Sequence, residues 1–95
     1  MRSKIIFLGL LLPACILAPA QGIKSKLRQG NSLYKAKNFP EAETAYRKAL
    51  LLDSLSGKAN FGIAASAYEQ GRYEESSRYL ERALKDTRLT PPQAS

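Results

Sequence analysis

Two stretches of the chain carry one pattern. FPEAETAYRKALLLD, from Phe39 to Asp53, and YEESSRYLERALKDT, from Tyr73 to Thr87, repeat an aromatic residue, a glutamate, a small residue and Ala-Leu in the same order after 34 residues. Tyr34 and Tyr68 fall on the same register, as do Ala42 and Ser76, Tyr46 and Leu80, Ala49 and Ala83, and Leu50 and Leu84. A fixed offset of this kind marks a supersecondary unit written twice. One such unit cannot bury its own apolar face, so the copies must stack on each other.

The apolar spacing from Ile23 onward is helical, and no β-alternation competes with it. It predicts an all-α fold of four segments, about 23–37, 40–53, 57–70 and 74–86. The joints carry matching punctuation. Pro40 stands where a first helical turn tolerates proline, because its missing N–H would be unpaired there. Ser56 is placed to cap the third segment. Gly71 follows the third segment where a left-handed residue is commonly needed, and Asn38 is expected to serve the same purpose after the first.

A period of 34 residues carrying a helix–turn–helix is the length of the tetratricopeptide repeat (TPR), and the residues resemble that family. In the second unit Ile63-Ala64 stands at the family's Leu-Gly pair, Tyr68-x-x-Gly71-x-Tyr73 at its turn, and Ser76 and Ala83 at small positions. The first unit has Gly30, Ala42 and Ala49 at the corresponding small positions and Phe39 at the turn. The resemblance implies two tandem hairpins, about 23–56 and 57–90, within a TPR domain at 21–86. It also implies close packing of Gly30 on Ala42 and of Ala64 on Ser76. Ala49 and Ala83 would then admit the first helix of the following repeat, while Phe39 and Tyr73 wedge the turns. Some positions depart from the pattern. Lys26 and Gln29 stand where large apolar residues are usual, Asn60 replaces an aromatic, and Ser54 replaces a closing proline. The polar positions of the first unit suit the outer face of a capping repeat.

The two ends read differently. Arg2 and Lys4, the apolar run Ile5–Leu12, and Ala18-Pro19-Ala20 form the layout of a secretory signal peptide at 1–20. A lipoprotein anchored through Cys15 and a retained anchor are the alternatives. The expected location is therefore periplasmic. In the tail, 87–95, Thr90-Pro91-Pro92 reads as a helix start. Either the chain is a truncated member of a longer protein or another surface caps its end.

Function classes narrow quickly. Residues 21–95 contain neither cysteine nor histidine, so no Ser/His or Cys/His nucleophile and no metal-ligand cluster is expected, and no cofactor. Their 13 Lys/Arg and 8 Asp/Glu are interleaved along helices with no run of five like charges, which argues against nucleic-acid binding. Glu41, Glu43, Glu74 and Glu75 are expected at helix starts, facing the helix dipole. No small-molecule substrate is indicated.

The TPR resemblance implies a concave groove lined by the first helices of the repeats. By register it would carry Lys24, Leu27, Arg28, Asn31, Tyr34 and Lys35, then Lys58, Phe61, Ala65, Tyr68 and Glu69. An apolar floor with a mostly basic rim suits a partner peptide with acidic flanks. The alternative is that Leu27 and Phe61 simply pack between helices. Asn31 beside basic residues is faintly similar to the family's carboxylate-clamp members, although Leu27 stands where such a clamp wants lysine. More narrowly, LRQGNSLYKAKNFPEAETAYRKALLLDS resembles the TPR proteins of bacterial aerotolerance (Bat) operons. That resemblance implies an exported adaptor working with membrane-anchored von Willebrand A-type proteins in tolerance of oxygen or envelope stress. The expected function is thus a protein–protein interaction scaffold with a membrane-associated partner. Self-association through the open end after Ala83 is the competing expectation.

Overall fold

A computed structural model of the chain describes residues 22–88. The signal-peptide reading of 1–20, Cys15 and the helix start at Thr90-Pro91-Pro92 lie outside the described residues. Within them the fold is all-α, with four helices in chain order: α1 (Gly22–Lys35), α2 (Phe39–Leu52), α3 (Gly57–Glu69) and α4 (Tyr73–Leu84). The connections are so short that each helix must run back along the one before it. The contacts follow suit: α1 packs on α2, α2 on α3 and α3 on α4, with only a light touch between α1 and α3. This is a pair of stacked helical hairpins.

Each hairpin turn is held by a T-shaped aromatic pair, Tyr34 with Phe39 at 5.1 Å and Tyr68 with Tyr73 at 5.0 Å between ring centroids. The left-handed residue after α3 is Gly71, with φ +84°. Its counterpart after α1 is Lys37, with φ +64°, and not Asn38 as the sequence suggested. The hydrogen bonds explain the shift. Asn38 N–H donates to Leu33 O and Arg72 N–H to Ala67 O, each at 2.9 Å. Both are the six-to-one bonds of a Schellman motif, which place the left-handed residue one position earlier. A lysine there bears a steric strain that glycine escapes.

Helix starts follow their local chemistry. Ser56 Oγ accepts from Ala59 N–H at 3.1 Å and so caps α3, and Pro40 sits in the first turn of α2. Gly57 N–H is also satisfied from a distance, donating to Asp86 Oδ2 at 2.6 Å. With Arg88 beside it and that N–H behind, the Asp86 carboxyl is pushed down to about 2.

The core is built from small residues around one large one. Ala42, Ala49, Ala59, Ile63, Ala64 and Ala67 are fully buried, and so is nearly all of Tyr46. The atoms nearest to Gly30 belong to the Tyr46 ring, and a Cβ there would come within 2.6 Å of Cε1. Gly62 meets the same ring from α3 even more closely. Tyr46 is therefore gripped between two glycines on two different first helices. The second hairpin is close-packed as expected, with Ser76 Oγ donating to Ala64 O at 2.8 Å. Ala83 is already buried among the described residues, so it is not the open socket the repeat pattern implied. The large hydrophobic side chains that α4 leaves exposed are Tyr73, Leu80 and Leu84.

One feature of the fold was not legible in the helix-start reading of the glutamates. Glu43 does not simply face a dipole. It is 7% exposed and accepts from Arg47 Nη2 at 2.6 Å, from Gln70 Nε2 at 2.9 Å and from Arg72. Arg47 and Arg72 both continue to Glu75, and Arg47 also donates to Tyr79 Oη at 2.9 Å. The network ties α2 to the α3–α4 turn and to α4. Burial pushes the Glu43 carboxyl up, but donors from Arg72, Arg47 and Gln70 outweigh it and hold it below its ordinary value.

Candidate functional site

The first helices α1 and α3 lie side by side and leave an open concavity of about 540 Å³ between them. Its walls are Leu27, Asn31 and Tyr34 from α1 and Lys58, Phe61 and Ala65 from α3. Tyr46 and Gly62 form its floor, and neither was expected in the groove from the sequence. Gly62 is what makes the floor reachable. Without a side chain at that position, α3 settles against the Tyr46 ring while the ring still borders the groove.

The polar chemistry of the groove is set by Tyr46. Its buried hydroxyl donates to Asn31 Oδ1 at 2.6 Å, so the Asn31 amide N–H groups are left as donors at the exposed rim. Burial, with Tyr34 nearby as the lesser cause, raises the Tyr46 hydroxyl above its ordinary value and keeps it a donor. At the turn end, Tyr34 Oη donates to Glu69 Oε2 at 3.3 Å, which bridges α1 to α3 across the mouth. Partial burial and the Glu69 carboxylate together raise Tyr34 as well. Lys58 brings a cation to the opposite end of the same mouth. The exposed Phe61 ring, 55% accessible, stands between these polar ends.

Of the residues expected in the groove, the structure brings together Leu27, Asn31, Tyr34, Lys58, Phe61 and Ala65, with Glu69 joined through Tyr34. Lys24 and Lys35 are exposed on α1 but do not line it. Two expectations are corrected. Arg28 lies on the outer face of α1, in a separate shallow depression with Ser25, Gln29, Ser32 and Glu41. Neighbouring helical residues point about 100° apart, and the seating of Gly30 on Tyr46 turns Leu27 to the groove and Arg28 away from it. Tyr68 packs on Tyr73 and borders a depression with Ser76, Ser77 and Leu80. It is the register equivalent of Tyr34, displaced by one repeat.

A stack of antiparallel helical hairpins with an apolar groove on its first-helix face defines a helical-repeat interaction module. Comparison with known proteins makes this specific. The tetratricopeptide repeat family matches residues 27–94, and the chain belongs to that family. The chain is also 37% identical over 57 residues to a TPR repeat-containing protein of Methanocaldococcus jannaschii. The match covers 60% of this chain but spans only about 10% of that relative's length. Repeats of this family generally mediate protein–protein interaction and are typically non-catalytic scaffolds.

Proposed function

We propose that the chain is a periplasmic adaptor, whose α1–α3 groove holds a peptide segment of a membrane-associated partner. The observation that carries this reading is the groove itself: about 540 Å³, floored by Tyr46 and walled by Leu27, Phe61 and Ala65. Donors from Asn31 and Lys58 stand at its rim. Apolar walls supply affinity for one or two anchoring side chains, and the rim donors suit backbone carbonyls or an acidic flank. Export rests on the signal-peptide layout of 1–20. A role beside membrane-anchored von Willebrand A-type proteins, in aerotolerance or envelope stress, rests on the resemblance to Bat-operon TPR proteins.

Self-association by head-to-tail stacking is the weaker reading, because it would bury polar side chains on an apolar face. Within the chain, α3 docks on α2 by setting Gly62 and Ile63 against Tyr46. A second copy docking its α1 on α4 would have to present the register equivalents, Arg28 and Gln29, against Leu80. The guanidinium and amide groups would lose hydration against an apolar side chain. Pull-down from envelope fractions with two variants separates the readings. Phe61→Ser should abolish partner recovery while Leu80→Asp leaves it unchanged. The reverse result would overturn the groove assignment in favour of the α4 face.

A further inference from the structure

We infer that the end of the molecule bearing the α2–α3 loop is a docking surface for an anionic lipid bilayer. Because the helices alternate in direction, this end gathers the starts of α1 and α3 and the ends of α2 and α4. Contacts show the convergence directly: Gly22 abuts the Leu52 side chain, Asp86 receives Gly57 N–H, and Arg88 reaches Asp53. The opposite end holds the two hairpin turns.

Exposed apolar side chains are concentrated at the loop end. Leu51, Leu52, Leu55 and Leu84 are each between 56% and 85% exposed. Single exposed leucines need no explanation, but four at one end of a small domain form a patch that calls for a partner. None belongs to the groove.

Charge selects the partner. Five of the eight acidic residues, Glu41, Glu43, Glu69, Glu74 and Glu75, lie toward the turn end, where cations match them. At the loop end the two aspartates are already engaged by Arg88, at 3.2 Å for Asp53 and 2.8 Å for Asp86. Glu81, the eighth acidic residue, stands beside Arg82 near the end of α4, and against it Lys24, Lys58, Arg82 and Lys85 leave the leucine-bearing end net positive. A concavity of about 400 Å³ at the same end is bordered by Leu55, Arg82, Lys85 and Arg88, and the Asp53 and Asp86 carboxylates in its lining are those that Arg88 already engages. Leucines flanked by snorkelling lysines are the composition that seats a protein at the headgroup–acyl boundary.

No helix among the described residues is long and apolar enough to cross a membrane, so contact would be with the surface. Seated this way, the domain would have its hairpin turns facing away from the bilayer and the groove open along its side. Apart from Lys58, the leucines and cations of this end are not those of the groove, and the probe is different, so failure here leaves the groove reading standing.

The test uses the full chain with Cys15→Ser and one environment-sensitive fluorophore, placed through Leu55→Cys or, as the reference, Glu74→Cys. Vesicles of phosphatidylglycerol and phosphatidylcholine should blue-shift the label at 55 and leave the label at 74 unmoved, whereas pure phosphatidylcholine should shift neither. Adding Lys24→Gln with Lys85→Gln should weaken the response at 55 roughly thirtyfold in lipid concentration, from about a fivefold loss per cation near the surface. A label at 55 that ignores anionic vesicles overturns the inference and leaves the patch to an acidic protein surface. Equal responses at 55 and 74 overturn it too, and so does a response at 55 that Lys24→Gln with Lys85→Gln leaves unchanged, since the leader alone would then explain binding.

Discussion

Replacing Gly62 with alanine sets two effects of opposite sign against each other at one residue. In an unobstructed helix the change would gain about 1 kcal/mol of helix propensity. Here the Cδ1, Cε1 and Cγ atoms of Tyr46 occupy the space the new Cβ needs. The ring cannot yield cheaply, because it is 4% exposed, touches Gly30 on its other contact and is tethered to Asn31 by a 2.6 Å hydrogen bond. Overpacking of this kind costs about 2–3 kcal/mol, so the net expectation is a loss of about 1–2 kcal/mol. Deleting the ring with Tyr46→Ala should reverse the sign. In that background Gly62→Ala should stabilise by up to about 1 kcal/mol, giving a coupling of about 2–3 kcal/mol between the two sites. The assay is urea unfolding of the four chains followed by far-UV circular dichroism, in trimethylamine N-oxide so that the ring-deleted variants stay folded. Additive effects, with coupling under about 0.5 kcal/mol, would refute the claim that Tyr46 is gripped by the two glycines.

Other expectations follow from particular contacts. Glu43→Gln should destabilise by about 2 kcal/mol, less than a fully buried pair would lose, because its partners Arg47 and Arg72 are about two-fifths exposed; chemical denaturation reads this directly. Glu43 and Glu75 are both held below the ordinary carboxylate value of 4.5, the latter chiefly by Arg72. Their contribution is thus present above that pH and is lost as pH falls through their lowered values. Acid titration should show stability falling below pH 4.5, with Glu43→Gln flattening the slope; an unchanged slope would count against the network. Lys37→Gly should stabilise by about 0.5–1 kcal/mol, since it relieves a left-handed lysine. Thermal unfolding would show it, and a lower melting temperature would contradict the turn geometry.

Much of the fold was legible because it is periodic. The 34-residue register forces each unit into the same hairpin, so four helices, the turn aromatics, the Ser56 cap and the close approach at Ser76 could be read from sequence alone. What escaped depends on contacts between units. Glu43 meets Arg72 from 29 residues away, and no local pattern marks that pair. Tyr46 and its counterpart Leu80 occupy one register position but have different neighbours: α3 brings Gly62 over the first, whereas the second is exposed. The groove was legible in part for the same reason. Spacing names a helical stripe, but the roll of α1 that separates Leu27 from Arg28 is fixed by a glycine seated on a distant ring. Lys37 was missed because a lysine gives no sign that the backbone has turned left-handed.

The groove reading is tested most directly by site-specific photocrosslinking in the native envelope. A benzophenone side chain is placed at Leu27 or Phe61 inside the groove, and at Arg28 or Gln29 on the outer face of α1. The account predicts that both groove positions trap one membrane-associated protein through the same short segment, while the outer positions trap nothing in common with them. Crosslinks to that protein from the outer face, with none from Leu27 or Phe61, would contradict it.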